Sequence, residues 1–312
     1  MTALGFDSTA DDVLAGADLT GKRYLVTGAS AGLGLETTRA LAAHGASVTM
    51  AVRDLDKGRA AMQEVLDAAL GANLELRLLD LADLASVQSF ADGFLEDHDR
   101  LHVLIANAGI MACPQGTTVD GFELQFGTNH LGHFLLITRL LPALIAADGA
   151  RVVLLSSAGH RFGDVDLDDP GFERQPYDAW VAYGRAKTAN VLCAVGLDRR
   201  YRDEGVRAFA VHPGGIQTEL GRHLTSDTLQ VLMDRLAAAP QETVWKTVPQ
   251  GAATSVYAAT SADLDGMGGL YLEDCHIADR TDDPDDREGV RAYALDPANA
   301  EALWTLSEQL VG

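Results

Sequence analysis

From Arg23 onward, short apolar runs alternate with segments whose apolar residues recur at helical spacing. The runs RYLVTG from Arg23, SVTMAV at Ser47 to Val52, LELRLLD ending at Asp80, LHVLIAN ending at Asn107, RVVLLSS at Arg151 to Ser157, VRAFAVH ending at His212 and GGLYL near Leu270 predict about seven strands. Between them, Leu35, Thr38, Leu41 and Ala42 share one face of a helix over Leu33 to His44, and Val87, Phe90, Phe94 and Leu95 do so over Val87 to Leu95. Continuous apolar strands bounded by helices predict an α/β fold: one parallel, doubly wound sheet with helices on both faces. Ligands of such sheets bind at the carboxyl ends of the strands. Ahead of this pattern, residues 1–20 read as an extension packed on the domain surface, with Ser8 or Thr9 capping a short helix that carries Val13 and Leu14. The domain proper spans 21–312, with no repeat and no low-complexity tract; Asp279 to Asp286 reads as a solvated acidic loop.

Composition narrows the function classes. A chain of 312 residues with 47% hydrophobic and 22% charged residues suits a single domain with a large core. A net charge of -21 repels phosphodiester backbones and anionic lipid headgroups, which argues against nucleic-acid partners and electrostatic membrane docking. Cys113, Cys193 and Cys275 are odd in number, far apart and without a CxxC or histidines at ligand spacing, so reduced structural thiols and no metal are expected. The N-terminus shows no basic region followed by an apolar core, and the apolar stretch Phe134 to Ala147 contains Arg139 and Pro142 and is too short to span a bilayer. A cytoplasmic protein is the expectation.

The first strand runs into Thr27-Gly28-Ala29-Ser30-Ala31-Gly32-Leu33-Gly34 and then a helix. Glycines let the backbone turn tightly against a pyrophosphate, and a helix N-terminus offers it free N–H groups and a positive dipole end. The spacing is GxxxGxG instead of GxGxxG, but its place after the first strand points to dinucleotide binding on a Rossmann-type sheet; a plain strand-to-helix turn is the alternative. At the end of the second strand the chain reads Val52-Arg53-Asp54. An arginine there can pair with a 2′-phosphate, which favours NADP(H), whereas Asp54 could bind a ribose 2′-hydroxyl and keeps NAD(H) open.

Tyr183 and Lys187, four residues apart in a helical stretch, project from one face. A phenol titrates near pH ~10, and a neighbouring ammonium favours its ionised form, so the pair suits proton exchange with an alcohol or carbonyl while hydride moves to or from a nicotinamide.

With these motifs in order, residues 21 to 220 resemble the short-chain dehydrogenase/reductase family. Thr27 to Gly34 is similar to its TGxxxGxG turn, Asn107-Ala108-Gly109 to its NNAG stretch and Tyr183 with Lys187 to its YxxxK. The resemblance implies further roles: Asp80 with Leu81 at the adenine, Ser157 as the catalytic serine that hydrogen-bonds the reacting oxygen, and Asn129 in the helical run Gly127 to His130 as the asparagine that holds a water in a proton relay. Pro213-Gly214-Gly215-Ile216-Gln217-Thr218 is similar to the PGxxxT segment that holds the nicotinamide carboxamide, with Ile216 and Thr218 as contacts. Two positions depart from the pattern. Ala106 replaces the first asparagine of NNAG, and Ser157 lies 26 residues before Tyr183, so an insertion over 160–180 must be looped out. That insertion, with the AVRD strand end and Val211-His212-Pro213-Gly214, most resembles the retinol-dehydrogenase-like branch.

The cofactor set implied is therefore Gly28, Ser30, Gly32, Leu33, Gly34, Arg53, Asp80, Leu81, Asn107, Ala108, Gly109, Tyr183, Lys187, Pro213, Gly214, Ile216 and Thr218, and the catalytic set Asn129, Ser157, Tyr183 and Lys187. Substrate is expected above the nicotinamide near Ile110, Met111 and Ala158 to His160, under a lid within 219–250 that carries Leu220, Leu224, Leu229, Leu232, Met233, Leu236 and Trp245; helices packed on the sheet are the alternative for that stretch. This lining implies an apolar alcohol interconverted with its ketone or aldehyde, with a homo-oligomer possible. A non-catalytic NADP(H)-binding redox sensor on the same fold is the rival reading.

Overall fold

The computed structural model describes residues 4–238, 244–284, 286 and 288–312. Among these residues, eight strands form one sheet in the order β3-β2-β1-β4-β5-β6-β7-β8. These are β1 (Arg23–Thr27), β2 (Ser47–Val52), β3 (Asn73–Leu78), β4 (Val103–Ala106), β5 (Ala150–Leu155), β6 (Val206–His212), β7 (Leu270–Glu273) and β8 (His276–Ile277). All neighbours pair in parallel except β7 and β8. The order reverses between β1 and β4, which is the switch point where a doubly wound sheet opens a crevice.

An eighth strand joins the seven that the apolar runs announce. The eighth has only two residues, both exposed, and follows a tight turn in which Asp274 and Cys275 take positive φ (46° and 59°), so no apolar alternation announces it. Several strands also stop earlier than their apolar runs: β3 at Leu78, β4 at Ala106 and β5 at Leu155. Asp80, Asn107 and Ser157 consequently stand beyond the strand tips.

Helices cover both faces. Leu25 and Val26, consecutive in β1, point to opposite sides and seed two cores. One gathers Phe94 of α4 (Leu84–Asp97), Phe134 and Leu140 of α6 (Gly132–Ile145), Leu197 of α7 (Ala179–Tyr201) and Trp304 of α10 (Pro297–Val311). The other gathers Ala10 of α1 (Ala10–Val13), Leu41 of α2 (Gly32–Ala43), Val65 of α3 (Leu55–Ala68) and Val256 of α9 (Val248–Thr260). The N-terminal segment is built into this second core, with Ala10 and Leu14 both fully buried. Between them, α5 (Leu124–Phe126) is a single turn, and α8 (Ser226–Ala238) lies in the expected lid. Within that lid, residues 239–243 and the Leu236 side chain lie outside the described residues. No helix among the described residues is long and apolar enough to cross a membrane.

Candidate active site

The turn after β1 is shaped by glycines. Gly28 (φ 67°) and Gly32 (φ 53°) occupy the left-handed region that suits glycine. Gly34 has no room for a side chain, because a Cβ would stand 2.3 Å from the Gly28 carbonyl oxygen. Ala31 is the N-cap of α2 and supplies no capping side chain, so the first-turn N–H groups of this helix face the crevice without a side-chain partner. A helix start of this kind favours an anion, and a dinucleotide pyrophosphate would fit it. Ser30 lies in the same turn and Leu33 in the first turn of α2.

The tip of β4 is stitched to this turn. Asn107 Nδ2 donates to the Thr27 carbonyl (2.8 Å), and the Ala108 N–H donates to Thr27 Oγ1 (3.0 Å). Thr27 Oγ1 also meets His133 Nε2 (2.9 Å), while His133 Nδ1 lies 3.0 Å from the Asn129 carbonyl. Since that carbonyl can only accept, Nδ1 carries the proton and Thr27 donates to Nε2. Burial keeps His133 neutral, its pKa pushed down to about 4. His133 lies outside the motifs that mark the site in the sequence, although it sits at helical spacing from Asn129.

At the tip of β2, Arg53 is exposed and forms no salt bridge among the described residues. Asp54 turns the other way: its carboxylate caps α3, accepting from the N–H groups of Asp56 (2.9 Å) and Lys57 (3.1 Å). The Lys57 N–H holds its pKa below the usual carboxylate range. A cleft of about 700 Å³ opens here, lined by Arg53, Leu78, Asp80, Ser86 and Phe90. Asp80 is held at its rim by a bond from Ala82 N–H (3.0 Å), and Leu81 is buried behind it, its carbonyl pressed on Gly132.

Tyr183 and Lys187 lie one turn apart on α7, which Asp178 caps through Trp180 N–H (2.8 Å) and Val181 N–H (3.0 Å). The Lys187 Nζ stands 5.7 Å from the centre of the Tyr183 ring and donates to the Leu155 carbonyl (2.9 Å). Ser157 caps the 3-10 turn Ala158–Phe162, its Oγ accepting from Gly159 N–H (3.0 Å). The tyrosine ring rests on Gly159, where a Cβ would come within 2.7 Å of Tyr183 Cε1. Burial pushes the phenol up to about 12, and a hydrogen bond with Ser157 pulls it back. Burial pushes the Lys187 ammonium down to about 8. The 26-residue gap between Ser157 and Tyr183 is taken up by the 3-10 turn and an irregular loop. Thr188 Oγ1 clamps it, within 3.0 Å of the His160 carbonyl and 2.8 Å of that of Gly163.

Asn129 departs from the simple helix expected. Residues Gly127–Leu131 form a π-helical turn, which a 3.6-residue apolar pattern does not reveal. Its side chain grips the backbone of one residue on both sides: Oδ1 accepts from Ile110 N–H (2.9 Å) and Nδ2 donates to Ile110 O (2.9 Å). A side chain so engaged positions the 109–110 segment. Gly109 lies between Asn129 and Lys187, since a Cβ there would stand 3.2 Å from Asn129 Oδ1 and 3.6 Å from Lys187 Nζ.

After β6, Gly214 (φ 97°) follows Pro213 and lets the chain fold back toward the turn. Ile216 packs toward Gly251, and Thr218 sits over the start of α2, a Gly32 Cβ lying 3.6 Å from its Cβ. Above Tyr183, an apolar cluster joins Ala112 and Trp180 with Met111, Phe162, Leu224 and Leu232. Trp180 Nε1 ties α8 to α7 through the Thr228 carbonyl (3.1 Å). The expected lid is thus divided: Leu224 and Leu232 face the tyrosine, whereas Leu229, Met233 and Trp245 face outward.

The profile of the short chain dehydrogenase family matches residues 22–229. A probable oxidoreductase of Streptomyces lividans is 46% identical over 291 residues, covering 92% of this chain and 96% of its own length. Human retinol dehydrogenase 12 is 40% identical over 294 residues, covering 94% of this chain and 87% of its own. A crystal structure of an uncharacterized protein from Mycobacterium paratuberculosis superposes with a TM-score of 0.73 at 38% identity, covering 97% of each chain.

Proposed function

The chain belongs to the short-chain dehydrogenase family, with retinol-dehydrogenase-like relatives, and from that footing we propose that it is an NADP(H)-dependent oxidoreductase interconverting an apolar alcohol with its ketone or aldehyde. Family membership supports a dehydrogenase or reductase reaction on a small molecule with NAD(P). The observation that carries the finer reading is the convergence of Tyr183, Lys187 and Ser157 at the strand tips, under an apolar cover and beside the uncapped start of α2.

In this reading Gly28, Ser30, Gly32, Leu33 and Gly34 receive the pyrophosphate, Asp80 and Leu81 border the adenine, and Asn107 to Gly109 with Lys187 flank the nicotinamide ribose. Pro213, Gly214, Ile216 and Thr218 hold the carboxamide end. The bound nicotinamide supplies or accepts the hydride. At neutral pH the Tyr183 phenol, raised to about 12, holds its proton and can give it to a carbonyl oxygen. The Ser157 hydroxyl holds that oxygen as charge develops on it. Lys187, pushed down to about 8, stays mostly protonated near neutrality, and its ammonium stabilises the phenolate left behind. Asn129 keeps the 109–110 peptide in place beneath both.

Arg53 supports NADP(H) over NAD(H), because Asp54 already uses its carboxylate as a helix cap. Phe162, Trp180, Leu224 and Leu232 support an apolar substrate. The test is a screen of NADPH and NADH against carbonyl compounds graded in size and polarity. NADPH should be preferred, lipophilic aldehydes and ketones should be turned over, and Arg53→Ala should raise the KM for NADPH roughly tenfold or more while barely changing that for NADH, the scale of one charge-assisted bond. Turnover of charged sugars with none of apolar carbonyls, or equal KM shifts for both cofactors, contradicts the proposal.

A further inference from the structure

Behind the Gly214–Ile216 loop runs a short strap, residues 244–247, with no part in the chemistry above. Lys246 N–H donates to the Gly215 carbonyl (2.8 Å), and Lys246 pairs with Ile216 as an isolated parallel bridge. The lysine stem fills the space over Gly214, where a Cβ would stand 2.7 Å from Lys246 Cδ. Trp245 lies beside Gly215, 3.5 Å from where its Cβ would be. The loop therefore has its outer wall made by these two side chains.

The head of Lys246 is held from a different part of the chain. Its side chain is 1% exposed and its ammonium is paired with Asp274 in the β7–β8 turn. On another side, the ring of Phe6 covers it, with the centroid 4.7 Å from Nζ. Phe6 is itself carried by the N-terminal segment, which is anchored to the same end of α9: Gln250 Nε2 donates to the Asp7 carbonyl (3.3 Å), and Ala10 and Leu14 are fully buried in the adjoining core. A buried ammonium with one carboxylate has lost most of its hydration, and further contacts must offset that cost. The face of an aromatic ring does so, more strongly where water is excluded.

We infer that Phe6 and the Lys246–Asp274 pair form a latch by which the N-terminal segment holds the Gly214–Ile216 loop in the shape that receives the nicotinamide end of the cofactor. Phe6 and Lys246 are positioning residues, and the inference rests on the cofactor role given to that loop under the proposed function. The test uses the whole chain with two readouts: the NADPH dissociation constant from its fluorescence, and hydrogen exchange of the 214–218 amides without cofactor. Phe6→Ala should weaken NADPH binding roughly fivefold, the worth of one partly shielded cation–π contact, with the loss in Kd and KM but not in kcat. The 214–218 amides should exchange faster, and Phe6→Tyr, which keeps the ring face, should restore both. Unchanged exchange and affinity in Phe6→Ala overturns the latch. So does faster exchange spread evenly over the whole domain, which would make Phe6 a general stabiliser. If the wild type fails to bind NADPH, the cofactor reading fails, while the exchange data still decide whether Phe6 governs the loop.

Discussion

With Tyr183 changed to phenylalanine, kcat for carbonyl reduction should fall by about 10²–10⁴, the range that a positioned general acid contributes. NADPH affinity should stay near that of the wild type. The reason lies in what the substitution removes. The ring rests on Gly159 and is buried against Trp180, and these contacts do not involve the hydroxyl. Lys187 keeps its bond to the Leu155 carbonyl, 2.9 Å away, whether or not the phenol is present. Only the proton donor and its link to Ser157 are lost. Equal rates in the two proteins would remove the proposed chemistry and favour a protein that binds NADP(H) without turning anything over.

The second large effect is expected at the nucleotide turn. A Cβ on Gly34 would stand 2.3 Å from the Gly28 carbonyl oxygen and 2.5 Å from Asn107 Nδ2. The first is backbone, and the second is a side-chain end already tied to the Thr27 carbonyl (2.8 Å), so neither moves aside freely. Gly34→Ala should therefore force the turn open, cost about 1–3 kcal/mol of stability and abolish measurable NADPH binding. A melting curve should shift down by several degrees, at roughly 2–4 °C per kcal/mol for a domain of this size. Gly93 provides the contrast. It lies within α4, and its Cβ would meet only Arg77 Nη1 at 3.6 Å, so Gly93→Ala should be neutral or stabilise by up to about 1 kcal/mol. A Gly34→Ala protein that melts like the wild type and binds NADPH as well would show that the turn is not a close-packed cradle.

Much of the architecture was legible because burial on both faces leaves a strong signature: β2 and β6 match their apolar runs from end to end. Where the sequence misled, the cause is specific. Asp80, Asn107 and Ser157 continue apolar runs but lie past the strands, because Asp80 and Ser157 bond N–H groups two residues on and Asn107 bonds the end of β1. The π-helical turn around Asn129 has no periodicity of its own over five residues. The Arg53 and Asp54 alternatives could not be separated along the chain, although Asp54 immediately precedes α3 and so carries a readable cap signal. The contact of Phe6 with Lys246 joins residues 240 positions apart, and no local pattern can announce a pairing set by how α1 and the strap pack around α9.

The central claim is that the Tyr183 phenol, held up at about 12 by burial, is brought down into the working pH range when the positive charge of the oxidised cofactor joins that of Lys187. The sign follows directly: burial disfavours the phenolate, whereas each added cation favours it. Ultraviolet difference titration of the wild type against Tyr183→Phe measures this one phenol. Without cofactor, the difference spectrum should show no tyrosinate up to about pH 10. With saturating NADP⁺, one tyrosinate should appear between about pH 6 and 9, and alcohol oxidation should rise over the same interval while carbonyl reduction does not. An ionisation that is the same with and without NADP⁺ would contradict the account.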